Sequence, residues 1–154
     1  MVLSHGELLD GLEKLATSAV GRWGLDDASL RLINLSENAT YRVDSPGRAT
    51  PVILRVHREG YHSLDGIRSE LAWMRALQSE AGVKTPQAIP GRDGKDIQTV
   101  AHPALPNPRN CVLFEFIEGE EPQQHSLIEP FKQLGEVTAR THQHSRRWAR
   151  PPYF

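Results

Sequence analysis

Residues 30–56 read LRLINLSENATYRVDSPGRATPVILRV. Its apolar residues fall into three short runs, which the polar tripeptides Ser36-Glu37-Asn38 and Ser45-Pro46-Gly47 separate. Short apolar runs bounded by Ser, Asn, Pro and Gly are typical of strands joined by tight turns. The stretch therefore predicts three short strands in an antiparallel meander.

Helical patterns lie on both sides of this meander. Residues 4–22 carry Leu, Ala and Val at spacings of three and four, which predicts an amphipathic helix. The same spacing of apolar residues predicts a second helix from Ser63 to Glu80, with Gly82 as its stop signal.

The rest of the chain alternates between extended and helical patterns. Residues 91–94 (GRDG) predict a hairpin turn between two short strands, and Cys111–Ile117 is the most apolar run and predicts a buried strand. Residues 118–126 are polar and predict a linker, after which a last helix is expected from Leu127 to Arg147. The fold class predicted is α+β, with a sheet of about five antiparallel strands, one packed helix, an extra N-terminal helix and a C-terminal helix.

Composition excludes several classes of function. The chain has 154 residues, a formal net charge of −1 and one cysteine, Cys111. This balance gives no support for binding to nucleic acid or to a membrane, and one cysteine permits neither an internal disulfide nor a cysteine zinc cluster. The seven histidines show no ligand spacing, so no metal site is predicted. No membrane-length apolar stretch and no signal-peptide pattern is present, so a cytoplasmic location is expected.

The turn between the first two predicted strands is one candidate binding site. Consecutive backbone N–H groups in such a turn can bind phosphate oxygens, and Asn38 tolerates the left-handed conformation that this arrangement needs. The hydroxyl of Ser36 adds a donor. A plain hairpin turn explains the same residues, and neither familiar glycine-rich phosphate loop is present.

A second candidate joins Arg55 to Glu70. Strand alternation places Arg55 on the face of Ile53 and His57, and an arginine among apolar neighbours needs water or an anion. Glu70 lies at the margin of the apolar stripe of the second helix. A basic residue on the third strand and an acid on the next helix hold nucleotide phosphates in kinase-type folds. A solvent-exposed arginine and a solvated glutamate are the alternatives.

In this order, the segments resemble one family of phosphotransferases. The resemblance is carried by Ser36–Tyr41, Ile53–Val56, Glu70-Leu71, Thr85-Pro86 with Gly91 and Gly94, Phe114–Gly119, and Leu134–His142. The family contains aminoglycoside phosphotransferases, choline kinases and type-II homoserine kinases, and it includes bacterial stress-response kinases related to protein kinases. The resemblance covers roughly residues 25–150.

The resemblance implies a domain organisation. Residues 1–24 form an N-terminal helix, 25–117 a nucleotide-binding lobe, 118–126 a hinge, and 127–154 the first helix of a second lobe that is cut short.

It also implies roles for individual residues, with ATP as the nucleotide. Ser36, Glu37 and Asn38 would lie over the phosphates. Arg55 stands where the family usually has lysine, and it would hold the α- and β-phosphates and pair with Glu70.

The adenine ring would lie in a slot lined by Thr40 and Ile53, and the backbone of Glu115 and Ile117 would bind its edge.

The largest departure from the family is an absence. The family's His-Gly-Asp sequence, the Asn after it and a later Asp supply the catalytic base and the magnesium ligands, and none of these motifs occurs here. The chain is therefore expected to contain no catalytic residue and to bind nucleotide without turnover. Magnesium ligands and contacts to a small-molecule acceptor are expected in the lobe that this chain lacks.

Three alternatives remain open. The chain could be a non-catalytic interaction module that forms a homodimer through its last helix, whose apolar residues are Leu127, Phe131, Leu134, Val137 and Thr141. It could be the lobe of a stress-response-type protein Ser/Thr kinase. It could also be an unrelated α+β binding domain that matches these motifs by chance.

Overall fold

The computed structural model describes residues 3–120, 122–123 and 125–154. The helices are α1 (His5–Ala19), α2 (Leu64–Ala81) and α3 (Ile128–Arg147), with a 3₁₀ turn at Val20–Trp23. The strands are β1 (Ser29–Leu35), β2 (Asn38–Asp44), β3 (Val52–His57), β4 (Ala88–Ile89), β5 (Ile97–Val100) and β6 (Arg109–Glu115). The predicted N-terminal segment and linker include residues 1, 2, 121 and 124, which lie outside the described residues.

The chain divides into two compact units. The sheet unit comprises Met1–Leu64 and Ala88–Phe116, and the helix unit comprises Asp65–Gln87 and Ile117–Phe154. Together they contain the α+β elements that the sequence predicts, and each predicted helix begins and ends within a few residues of its observed bounds.

The sheet unit is built on an antiparallel sheet of six strands. The strand order is β1-β2-β3-β6-β4, and β5 also pairs with β6. The predicted meander of β1, β2 and β3 is confirmed, with Thr40 opposite Arg55 in the β2–β3 register. A register shift between Leu32 and Asn34 places a bulge in the edge strand β1.

The strands around the GRDG turn differ from the prediction. β4 pairs with Leu113–Phe114 and β5 with Arg109–Val112, so both follow the same edge of β6 one after the other. In the part of the chain that the structure describes, no ladder joins β4 to β5. The predicted hairpin is therefore wrong. β4 and β5 together form one edge strand beside β6, and residues 90–96 form a loop, here called the excursion, that interrupts it. The turn itself is present, because Gly94 N–H donates to the Gly91 carbonyl at 2.9 Å.

The end of β6 also differs from the prediction. The expected strand runs to Ile117, but β6 ends at Glu115, whose partner Val52 is the first residue of β3. Because β3 begins at Val52, residues 116 and 117 have no strand opposite them. The side chain of Ile117 is exposed.

One face of the sheet packs against α1. Alternate residues of β2 and β3 point toward this helix, and they form the core with its buried face: Ala39, Tyr41, Val43, Val52, Leu54, Val56, Leu12, Leu15, Ala16 and Ala19. The helix begins with a capping box, in which Glu7 N–H donates to Ser4 Oγ at 3.3 Å and Ser4 N–H donates to Glu7 Oε2 at 2.8 Å. The sequence predicted α1 as an extra helix beside the sheet. In the structure its buried face forms part of the core.

The helix unit pairs α2 with α3. Gly82 has φ +61, and Val83 N–H donates to the Leu77 carbonyl at 3.1 Å, so α2 ends in the glycine stop that the sequence predicts. His144 of α3 is buried and hydrogen-bonds Trp73 and Glu80 of α2. The first half of α3 instead exposes large apolar side chains. Among the described residues, no helix is both long and apolar enough to cross a membrane.

Candidate functional site

The sheet face opposite α1 gathers three of the residues predicted to bind nucleotide. Because Ala39 and Tyr41 of β2 and Leu54 and Val56 of β3 point into the core, their strand neighbours point the other way. Thr40, Ile53 and Arg55 therefore share this outer face, and Thr40 lies directly opposite Arg55. The strand alternation inferred from the sequence is confirmed.

Arg55 packs against an aromatic ring on this face. Its guanidinium carbon lies 4.8 Å from the centroid of the Phe114 ring, and Phe114 lies opposite Ile53 in the β3–β6 register. A guanidinium over an aromatic face is attracted by the ring's electrons and held in one orientation. From the sequence, Arg55 was expected to contact water or an anion, and its contact with Phe114 was not predicted. Nothing local could identify this contact, because it depends on the register of β3 against β6.

A second guanidinium lies on the same face and was also missed. Arg42 binds Asp44 with two hydrogen bonds of 2.8 Å, from Nε to Oδ2 and from Nη2 to Oδ1. The Arg42 guanidinium holds the pKa of the Asp44 carboxyl below its usual value. The two residues are two positions apart on one strand, so this pair was readable from the sequence.

The turn before β2 differs from the prediction in its backbone. Outside glycine, no residue in the described ranges has a positive φ, so the left-handed conformation expected for Asn38 is wrong. Asn38 is instead the first residue of β2 and pairs with His57, which fixes it as extended chain. Ser36 N–H donates to the Asn38 carbonyl at 3.1 Å, so this donor is already used.

The charge of the turn also matters for phosphate binding. Hydrogen bonds from the Glu37 backbone N–H and the Ser36 hydroxyl lower the pKa of the Glu37 carboxyl. Glu37 is therefore ionised at neutral pH, and it occupies the hydroxyl that the sequence assigned to a phosphate. An anion over this turn would meet a carboxylate.

A cavity of about 680 Å³ lies beside the turn, on the α1 side of the sheet. The turn residues Ser36–Asn38 and the end of β3 form one wall, and Leu8 and Leu12 of α1 form another. Arg109 borders the cavity and forms an ion pair with Glu59 at 2.9 Å. The volume suits a small molecule, but Arg55 points to the other face of the sheet.

The remaining predicted site residues lie at the end of the sheet unit or in the helix unit. Glu115 is the last residue of β6 and follows Phe114, which pairs with Ala88 of β4. Glu70 and Ile117 belong to the helix unit. The Arg55–Glu70 pair and the adenine contacts of Glu115 and Ile117 stay predictions.

Within residues 3–120, 122–123 and 125–154, no three His, Cys, Asp or Glu side chains are placed to hold one metal ion. No residue of these ranges is therefore assigned to magnesium.

Comparison with known proteins gives the family. The sequence profile of the phosphotransferase enzyme family (APH) matches residues 29–154. The chain belongs to this family. The solved structure of a microcompartment-associated aminopropanol kinase is similar, with 44% sequence identity and a TM-score of 0.77. The match covers 90% of this chain and 42% of that kinase, so the chain spans less than half of the kinase's length. A comparison with curated proteins found no match.

Family membership confirms the resemblance and the α+β fold class inferred from the sequence. The structure brings Thr40, Ile53 and Arg55 together on one sheet face, and it places the Ser36–Asn38 turn at the end of that sheet.

Proposed function

We propose that this chain is the nucleotide-binding part of an ATP-dependent phosphotransferase that acts on the hydroxyl group of a small molecule. The observation that carries the proposal is the orientation of Arg55 on the outer sheet face, over Phe114 and opposite Thr40. A planar guanidinium presents several N–H donors in a fixed fork, which matches the oxygens of a phosphate. The stack on Phe114 limits its rotation before the nucleotide arrives.

Arg55 is a better candidate than Arg42 for the α- and β-phosphates. The Nε and Nη2 groups of Arg42 already donate hydrogen bonds of 2.8 Å to the Asp44 carboxylate. Moving Arg42 to a phosphate would leave the Asp44 carboxylate next to another anion. Glu70 is the acid that we propose to pair with Arg55.

The adenine ring is proposed to lie beside Arg55 on the same face. Ile53 is two residues before Arg55 on β3, and Thr40 is opposite Arg55 on β2, so the two side chains border one strip of the sheet. Backbone groups of Glu115 and Ile117, where the chain leaves β6, would bind the ring's edge.

The turn over the phosphates is proposed to act through its backbone. Ser36 and Glu37 hydrogen-bond each other through their side chains, and the Glu37 carboxylate repels anions. The Ser36 and Glu37 N–H groups donate to the Asn38 carbonyl and the Glu37 carboxylate, so they would have to exchange these acceptors for phosphate oxygens, or the contacts of the turn would be bridged by magnesium bound with ATP. Magnesium neutralises phosphate charge in this class of reaction.

A small amino alcohol is the acceptor that we propose for this phosphotransferase. The similar solved structure is that of an aminopropanol kinase, and 44% identity over 90% of this chain supports a related substrate. Acceptor contacts, the catalytic base and the magnesium ligands are not assigned to residues of this chain, because the family's His-Gly-Asp sequence does not occur in it.

Calorimetric titration of the chain with ATP and magnesium tests the first part of the proposal. We expect heat of binding and slower hydrogen exchange at the amides of β2 and β3. No heat and no protection of these amides would contradict nucleotide binding. A coupled assay of this chain with ATP and an aminopropanol tests the expectation that it does not turn over, and measurable phosphoryl transfer would contradict that expectation.

A second candidate function is a non-catalytic interaction module that forms homodimers. It is favoured by the apolar side chains exposed in α3 and at the residue before it: Leu127, Ile128, Phe131, Leu134 and Val137. Ile128 is 85% exposed and Phe131 63% exposed, and apolar patches of this kind mark interaction surfaces. Sedimentation at increasing concentration distinguishes the candidates, since a strict monomer contradicts dimerisation through α3.

A further inference from the structure

His144 joins the two long helices of the helix unit. Its side chain is fully buried, and both ring nitrogens have partners on α2. Nδ1 lies 3.2 Å from the indole nitrogen of Trp73, and Nε2 lies 3.0 Å from a carboxylate oxygen of Glu80. Trp148 packs beside the ring, with its centroid 6.1 Å from that of the imidazole.

These partners permit only one arrangement of protons on the ring. An indole N–H can donate a hydrogen bond but cannot accept one, so Nδ1 of His144 must be the acceptor and carry no proton. Nε2 must then carry the proton and donate it to Glu80. His144 is therefore a neutral imidazole in the Nε2–H form when both bonds are made.

We propose that His144 is a pH-sensitive latch between α2 and α3, which holds Trp73 only while Nδ1 is unprotonated. A proton bound at Nδ1 occupies the lone pair that accepts the indole hydrogen bond. Two N–H groups would then face each other across 3.2 Å, so the Trp73 contact is lost. The bond from Nε2 to Glu80 survives, because Nε2 is a donor in both forms.

The charges around the His144 ring influence whether protonation of the ring breaks its contact with Trp73. Glu80 is the acid that contacts it, but the Glu80 side chain is 57% exposed, so water screens its attraction for an imidazolium. Arg140 and Arg147 lie one helical turn before and after His144 on α3, and Arg150 stacks on Phe154, which packs against Trp148. An imidazolium at His144 would therefore lie near both the Glu80 carboxylate and these cations.

The test follows the indole proton of Trp73 by NMR from pH 8 to pH 5, the range in which histidine side chains titrate. Trp73→Phe assigns the signal. His144→Gln is the informative variant, because its amide can accept from Trp73 and donate to Glu80 but cannot be protonated. His142→Gln is the matched control, since His142 is exposed and lies two residues away on the same helix.

In the unaltered chain and in His142→Gln, we expect one pH-dependent step of the Trp73 indole signal, and the protection of its proton against exchange, relative to free indole at the same pH, should fall about tenfold as an ordinary hydrogen bond is lost. In His144→Gln we expect a signal that does not change with pH. A Trp73 signal that is constant in the unaltered chain overturns the latch, and so does a step that persists in His144→Gln. If His144→Gln does not fold, the ring signals of His144 in the unaltered chain, followed over the same pH range, decide whether the Trp73 step coincides with protonation of His144.

Discussion

The guanidinium carbon of Arg55 lies 4.8 Å from the centroid of the Phe114 ring, at a position where the family resemblance implies a lysine. A guanidinium can stack on an aromatic ring and still direct its edge at a phosphate, because the two contacts use different sides of the plane. An ammonium has no such plane. The substitution of arginine for lysine is thus matched by an aromatic residue on the neighbouring strand.

The first prediction concerns the charge of Arg55. Arg55→Gln is expected to weaken ATP binding by about 10- to 100-fold, which corresponds to the loss of a hydrogen bond to a charged group, about 1.5–3 kcal/mol. Arg55→Lys keeps the charge and is expected to lose less than about tenfold. Arg48→Gln, in the exposed turn at the other end of β2, is the control and should leave affinity unchanged. Equal affinity for Arg55→Gln and the unaltered chain would remove Arg55 from the site.

The second prediction concerns Gly91, at the start of the excursion between β4 and β5. A Cβ atom there would lie 2.5 Å from Nε2 of Gln98, and that amide cannot move away freely because it hydrogen-bonds Asp93 at 2.6 Å and the Lys95 carbonyl at 2.9 Å. Gly91→Ala is expected to lower the free energy of unfolding by about 1–3 kcal/mol.

Gly47→Ala is the matched control for this substitution. Nothing lies within 4 Å of a Cβ atom at Gly47, so the free energy of unfolding of Gly47→Ala should be unchanged or slightly raised. Urea unfolding of both variants gives the comparison. Equal midpoints would show that the Gln98 side chain moves aside and that Gly91 serves only the turn.

Local patterns predicted the elements well because helix periodicity and strand alternation are properties of neighbouring residues. The bounds of α2, the stop at Gly82 and the inward set of β3 all follow from such patterns. The relation of β4 to β5 does not, because both strands take their register from β6, which follows them in the chain. The Arg55–Phe114 contact depends on the same kind of distant pairing.

The backbone of Asn38 shows a second limit of sequence reasoning. Asparagine tolerates a left-handed conformation, but it does not require one. Here the ladder to His57 begins at Asn38 itself, so pairing with β3 overrides the turn preference. The sequence therefore predicted which strand residues share the outer sheet face, but it did not predict the conformation of the turn before β2.

The third prediction treats α1 as part of the core of the sheet unit. Leu15 is completely buried between α1 and the sheet, so Leu15→Ala leaves a cavity and should lower the free energy of unfolding by about 2–5 kcal/mol. Lys14→Ala, on the exposed side of the same helix, removes only an ion pair with Asp10 and should change it by less than about 1 kcal/mol. Similar effects of the two substitutions on urea unfolding would mean that α1 does not stabilise the sheet.

The fourth prediction concerns alkaline pH and two buried acids of the same core. Burial raises the pKa of the Cys111 thiol from 9.0 to about 12, and burial raises the pKa of Tyr41 from 10.0 to about 12. Between pH 9 and pH 12 the unfolded chain therefore loses protons that the folded chain keeps. Because the unfolded state then binds fewer protons, the free energy of unfolding must fall as pH rises through this range.

Urea unfolding of the unaltered chain and of Cys111→Ala, measured from neutral pH to about pH 11, separates the two acids. Cys111→Ala is expected to be less stable at neutral pH, because it leaves a small cavity in the core. Its stability should nevertheless fall less steeply above pH 9, because only Tyr41 then contributes to the slope. Tyr41→Phe should remove the part of the decline that begins near pH 10. Parallel curves of unfolding free energy against pH for Cys111→Ala and the unaltered chain would show that the thiol ionises as readily in the folded protein as in the unfolded one. That result would contradict the burial of Cys111 in the core between α1 and the sheet.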